Sequence, residues 1–132
     1  MKIENVVIVD DDEDIRSILS ATLELFTRWN ITEVADPREA QDVIKYTCPE
    51  VLLLDWMMPV ISGIELFEML TEKNALSETT VIFMTAKVQV ADRSLIHQLG
   101  AHLISKPFDP ATIPTQIREF VELDHRNRTR TR

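Results

Sequence analysis

Four apolar runs constrain this chain more than any other feature, because each lacks polar alternation and each stops on a polar residue of different chemistry. Val6-Val7-Ile8-Val9 ends on Asp10-Asp11, Val51-Leu52-Leu53-Leu54 on Asp55, Val81-Ile82-Phe83-Met84 on Thr85, and Leu103-Ile104-Ser105 on Lys106. Short uninterrupted runs suit strands buried on both faces, the arrangement of a parallel sheet covered by helices. In an open parallel sheet, ligands bind outside the carboxyl ends of the strands. The runs therefore converge three carboxylates, a hydroxyl and an ammonium on one crevice.

Segments with helical period separate the runs, which predicts an α/β domain with strands and helices in strict alternation. After the acidic cluster, Ile15, Ile18, Leu19, Thr22 and Phe26 fall on one stripe at spacings of three and four. A weaker strand is expected over Asn30 to Ala35. Asp36-Pro37-Arg38-Glu39 reads as a helix start, with Asp36 as the cap, Pro37 at the first helical position and Glu39 reaching back in a capping box. Ser62-Gly63-Ile64-Glu65 makes a similar start for the third helix. The fourth is expected from about Gln89 to Leu99, where Gly100 supplies a left-handed stop. Asp109-Pro110 opens the last helix. Pro114 would remove a hydrogen bond in its second turn, so either the first turn is irregular or the helix begins later.

A length of 132 residues suits one domain with one core. The expected division is a globular domain over residues 1–123 and a basic tail over 124–132. No apolar stretch is long enough for a membrane span, and Met1-Lys2-Ile3-Glu4-Asn5 leads into a strand instead of a signal sequence, so the chain is read as cytoplasmic. Cys48 is the single cysteine and is expected to be inert filler beside Pro49. The tail carries Arg126, Arg128, Arg130 and Arg132 against Asp124, a sum of +3, so the net charge of −8 leaves −11 on the preceding residues. Such a body repels nucleic acid and attracts cations or basic partners, which argues against direct DNA binding. The tail itself is expected to be a frayed, solvated end.

Asp10, Asp11, Asp12, Glu13 and Asp14 put five acids in a row after a buried strand. Alone, the run reads equally well as an acid-rich helix start favoured by the helix dipole. Near a low-dielectric edge, however, like charges are costly unless a cation joins them. Carboxylates without nearby histidine or cysteine favour a hard ion, and a site completed by water and phosphate oxygens suits Mg2+ better than calcium. His97, His102 and His125 have no metal-ligand spacing. The other strand ends match the needs of phosphoryl transfer: an aspartate as oxygen nucleophile, a lysine to neutralise phosphoryl oxygens and a hydroxyl to donate to one of them.

On these residues the chain resembles the receiver domains of two-component response regulators, over residues 4 to 123. The motifs that carry the resemblance are Val9-Asp10-Asp11 with Arg16 following, Leu54-Asp55-Trp56-Met57-Met58-Pro59 with Gly63, Met84-Thr85-Ala86, and Ser105-Lys106-Pro107-Phe108. The resemblance implies a flavodoxin-like sheet of order 2-1-3-4-5 with five helices. It also implies that Asp55 accepts a phosphoryl group from a sensor histidine kinase or a histidine phosphotransfer protein. Asp11 and Asp55 would bind Mg2+ through their side chains, Met57 through its backbone carbonyl and Asp10 through a water. Lys106 would pair with Asp55 and then with the phosphoryl oxygens. Thr85 would swing toward the phosphoryl group, altering an output surface made by the fourth helix, fifth strand and fifth helix. The expected biology is a stand-alone receiver that signals by binding another protein or passes its phosphoryl group onward in a phosphorelay, not a conventional enzyme.

Two departures from the family pattern stand out. Leu103 occupies the strand position that often holds an aromatic switch partner, and Ser62 stands where aspartate is common, where it can serve the same capping function. Met57 and Lys87 flank the site at positions that could set the lifetime of a phosphoaspartate. A haloacid-dehalogenase-type phosphohydrolase also uses an aspartate, a threonine and a lysine at strand ends. It would expect threonine or valine at position 14 and paired acids after Lys106, and it leaves Asp55 without a role. A calcium loop on Asp10, Asp12 and Asp14 would need glycine and glutamate where Ile15 and Ala21 stand. A receiver-like binding module without phosphorylation is the remaining alternative.

Overall fold

The computed structural model describes residues 2–86 and 89–130, the Arg130 side chain excepted; Lys87 and Arg132 lie outside the described residues. The elements alternate throughout: β1 (Asn5–Val9), α1 (Glu13–Phe26), β2 (Asn30–Val34), α2 (Ala40–Thr47), β3 (Val51–Asp55), α3 (Gly63–Glu72), β4 (Thr80–Thr85), α4 (Val90–Gln98), β5 (His102–Ser105) and α5 (Ile113–Arg130). Short 3-10 turns at Pro37–Glu39 and Pro110–Thr112 precede α2 and α5. All strand pairs are parallel, and the order is β2-β1-β3-β4-β5, the expected flavodoxin-like sheet.

The alternating residues of the buried runs feed two cores. Val7, Val9, Leu52, Leu54, Val81 and Phe83 face α2, α3 and α4, where Ile44, Leu66, Leu70 and Ile96 meet them. Val6, Ile8, Leu53, Ile82, Met84 and Ile104 face α1 and α5, against Leu19, Leu23, Ile113, Ile117 and Val121. Burial on both sides is what makes these runs continuous in hydrophobicity. It also leaves their polar end residues to gather at the sheet's carboxyl edge.

Several local expectations hold. Ser62 caps α3, its Oγ accepting from the Glu65 amide at 3.2 Å. α4 follows Gln89 as expected, and Gly100 takes φ +73° just beyond that helix; a capping box between Gln89 and Asp92 opens it. Both resolutions of the Pro114 problem occur together. A 3-10 turn comes first, and α5 begins at Ile113, placing Pro114 in the first turn where its missing N–H has no intrahelical partner to lose.

Others are corrected. The α1 seam runs through Leu19, Thr22 and Leu23, while Ile18 turns outward and Phe26 is 59 % exposed. Phe26 is not among the residues packed on either core, so a residue on the expected stripe still finds little to cover it. Glu39 does not close a capping box on Asp36; Asp36 accepts from the Arg38 amide at 3.0 Å, and the Arg38 guanidinium grips its carboxylate at 2.7 Å. Cys48 is exposed and takes φ 47° as the left-handed cap of α2, a place usually given to glycine. The presumed frayed end continues α5 to Arg130. Its start is tied down, because Asp124 Oδ1 lies 2.7 Å from His102 Nε2 and that imidazole stacks on Phe120, with ring centroids 4.4 Å apart. No helix among the described residues is long and apolar enough to cross a membrane.

Candidate functional site

Each polar strand end arrives at the same edge. Asp55 is the last residue of β3 and Thr85 of β4, while Asp10 and Lys106 directly follow β1 and β5. Asp10, Asp55 and Thr85 are 2 %, 7 % and 3 % exposed, and Asp11 is exposed. The cleft above them has a volume of about 540 Å³ and is lined by Asp11, Asp55, Met57, Thr85, Asp92 and Lys106 among others. The sequence-predicted residues are thus brought together.

The carboxylates are held by a specific set of donors. Asp10 Oδ1 accepts from the Asp12 amide at 2.9 Å, and Asp12 in turn caps α1 through the Asp14 amide at 2.9 Å. Lys106 Nζ donates to Asp10 Oδ2 at 3.0 Å and to Asp55 Oδ1 at 3.2 Å. It bridges two buried acids, where the sequence pointed to a partnership with Asp55 alone. The main chain draws β4 and β5 together at the same level, since the Lys106 amide donates to the Thr85 carbonyl at 2.7 Å. The Lys106–Pro107 peptide is cis.

Burial, and then the neighbouring Asp10 charge, push the Asp55 carboxyl up to about 6 against the opposing pull of Lys106 and the Met57 amide. For Lys106, burial works against the ammonium, but contacts with Asp10 and Asp55 outweigh it and hold its pKa above the ordinary lysine value. An ammonium between two acids is the expected response to such crowding. One carboxylate oxygen from each of Asp10, Asp11 and Asp55 can be chosen so that all three lie within 4.8 Å of one another. Three close carboxylates with no histidine or cysteine among them form a donor set that fits a hard divalent cation.

The β3–α3 loop closes one wall. Gly63 is obligatory there, because a Cβ would run into the Asp55 carbonyl oxygen, and its amide donates to the Trp56 carbonyl at 3.0 Å. Trp56 stands edge-on to Phe83, centroids 5.0 Å apart, and Phe83 continues edge-on to Phe67, so the residue beside Asp55 is keyed into the core. Met57 is exposed at the cleft rim. Val60 adopts φ 74°, an unfavourable value for a β-branched residue.

Two features escaped the sequence reading. Gln89 and Asp92 at the start of α4 line the cleft mouth. A helix start near Gln89 was expected, but nothing local told that this helix end faces the acids. Arg16 Nη1 donates to the Asp10 carbonyl, six positions back, at 2.8 Å, a contact carried in sequence only by its place in a motif.

The comparisons agree with this architecture. The response regulator receiver domain family matches residues 6–118. Among curated relatives, a probable transcriptional regulator ycf27 from Guillardia theta is 35% identical over 116 residues, covering 87% of this chain and 44% of that protein. The transcriptional regulatory protein CpxR of Escherichia coli K12 is 32% identical over 121 residues, covering 91% of this chain and 50% of CpxR. The chain spans about half the length of the curated relatives it matches. Among solved structures, the chemotaxis protein CheY4 of Vibrio cholerae superposes with a TM-score of 0.82 at 25% identity, covering 90% of this chain and 99% of CheY4. The chain belongs to the response regulator receiver domain family, the signalling modules of two-component systems.

Proposed function

We propose that this receiver accepts a phosphoryl group on Asp55 in a Mg2+-dependent reaction and that the modified state changes which proteins it binds. The observation that carries the reading is the convergence of Asp55 with Asp10, Asp11 and Lys106 at one sheet edge, with Lys106 Nζ 3.2 Å from the Asp55 carboxylate. Asp11 and Asp55 would hold the metal by their side chains, Met57 by its backbone carbonyl and Asp10 through a water. Bound there, the ion would neutralise charge on the phosphoryl oxygens.

The donor is a phosphohistidine on a sensor histidine kinase or a histidine phosphotransfer protein. An Asp55 carboxylate oxygen forms the new bond to phosphorus as the N–P bond breaks, and the departing imidazole nitrogen keeps the electron pair. Lys106 is placed to exchange Asp55 for a phosphoryl oxygen without leaving the cleft, and the Thr85 hydroxyl to donate to another. Because the phosphoryl group makes these contacts in only one packing of β4, it biases a two-state element. We assign the downstream surface to α4, β5 and α5, with proteins as partners instead of DNA, and the working compartment to the cytoplasm.

The test is incubation with a small phosphodonor such as phosphoramidate plus Mg2+, read by intact mass, alongside Asp55→Asn. A single phosphoryl adduct, absent without Mg2+ and absent in the variant, is expected. An adduct that survives in Asp55→Asn, or one mapped to Asp10 as a phosphohydrolase would give, refutes the reading.

A further inference from the structure

Arg16, in the first turn of α1, has a side chain only 13 % exposed. Its Nη1 donates to the Asp10 carbonyl at 2.8 Å, and its Nε lies 3.5 Å from Glu33 Oε1 on β2. A desolvated guanidinium is costly unless paired. Here Glu33 supplies the counter-charge, and the rigid planar fork then aims the remaining donors at the main chain.

The Asp10 carbonyl belongs to the peptide that joins Asp10 to Asp11. That unit is planar, so fixing its oxygen sets where the Asp11 N and Cα lie and hence the point from which its carboxylate projects. The other two acids have direct side-chain restraints: Asp10 from the Asp12 amide and Lys106, Asp55 from Lys106. Asp11 is exposed, and among the described residues no hydrogen bond reaches its carboxylate. The backbone that carries it is therefore the main restraint on where it can reach.

We propose that Arg16, braced by Glu33, is a positioning residue that orients the Asp11 carboxylate for Mg2+. The inference rests on the reading of the acidic cluster as a magnesium site. Electrostatics predicts the opposite sign, because removing a cation beside a cation site strengthens binding. The direction of the effect therefore separates positioning from charge. Arg16→Lys sharpens the distinction: it keeps the charge but cannot hold Glu33 and the carbonyl together.

Mg2+ is titrated into the full chain and read by the indole fluorescence of Trp56; Trp29, at the opposite edge of the sheet, contributes a constant background. Arg16→Lys and Arg16→Met are each expected to weaken Mg2+ binding about 10-fold, the usual scale for losing an outer partner of a metal ligand. Asp11→Asn weakens binding too, and adding Arg16→Lys to it costs nothing further, because no carboxylate remains to be aimed. Unchanged or tighter binding in folded Arg16→Lys, or additive losses in the double variant, overturns the inference. Should both Arg16 variants fail to fold by thermal melting, Glu33→Asp decides, because it keeps the charge while drawing the carboxylate back from Arg16: a loss of about 2-fold or more supports the brace, and none overturns it. A parent that does not respond to Mg2+ overturns the magnesium reading itself, a distinct result.

Discussion

The β1–β3 side of the cleft is braced in several directions, whereas α4 on the other side lies lightly on a well-buried β4. Asp10 is held through its amide by the Val34 carbonyl, through its carboxylate by Asp12 and Lys106, and through its carbonyl by Arg16. On the other side, Ile96 is the one buried residue of α4, while α3 buries Gly63, Leu66, Phe67 and Leu70. Leu103, on β5 beneath α4, is only half-buried. The contrast suits a device that must present a fixed reactive group and yet move in response to it. Stiff carboxylates lower the cost of binding a cation, and a lightly packed helix lowers the cost of rearrangement.

Breaking the brace should have the largest effect. Lys106→Met leaves Asp10 and Asp55 facing each other without a counter-charge and is expected to destabilise the metal-free protein by about 3 to 5 kcal/mol at pH 7.5 in urea unfolding. The deficit should shrink as pH falls toward 6, because without the Lys106 ammonium the Asp55 carboxyl takes up its proton above the parent's value of about 6. A smaller, local effect is expected on the other side. Ile96→Ala should cost about 2 kcal/mol and appear as lost amide-exchange protection in α4, with Mg2+ affinity changed by less than about 2-fold. A large fall in Mg2+ affinity would show that the two halves are mechanically one.

The titration of Asp55 gives the next test. Its folded pKa of about 6 exceeds the ordinary value of 3.8. Protonation therefore stabilises the fold, a contribution complete below pH 3.8 and lost as pH rises through 6. Asp55→Asn mimics the protonated form without the charge. At pH 8 without metal it should exceed the parent in stability by about 1 to 3 kcal/mol, and the difference should vanish near pH 4. Equal stabilities at pH 8 would mean that Lys106 fully compensates the buried charge. The smallest effect concerns the wall between the halves: Val60→Gly relieves the positive φ and should add about 1 kcal/mol, measured by thermal unfolding with Mg2+ affinity unchanged.

Local chemistry was legible where a segment's own residues decide its form. The buried runs announced a parallel sheet because burial on both faces leaves no room for polar alternation. The Ser62 and Gln89 starts and the Gly100 stop follow from hydrogen bonds spanning only a few residues. Phe26 and Glu39 misled for the complementary reason: each satisfies a local pattern, but whether anything covers Phe26, and whether Arg38 reaches Asp36 before Glu39 can, depends on neighbours and competition. Cys48 in a left-handed cap shows the same limit, since a chain with only two glycines must sometimes fill such places with other residues.

The sequence by itself determined which groups stand at the sheet's edge: acids after β1 and β3, a hydroxyl after β4 and an ammonium after β5, because short buried strands must end where polar residues begin. Only the tertiary structure decided how those groups share one another. Lys106 lies between Asp10 and Asp55, 96 and 51 positions away, and Arg16 finds Glu33 on a neighbouring strand. Hydrogen bonds and charges act over a few ångströms of space, whatever the separation along the chain. The partners were named by the pattern, and the pairings were made by the fold.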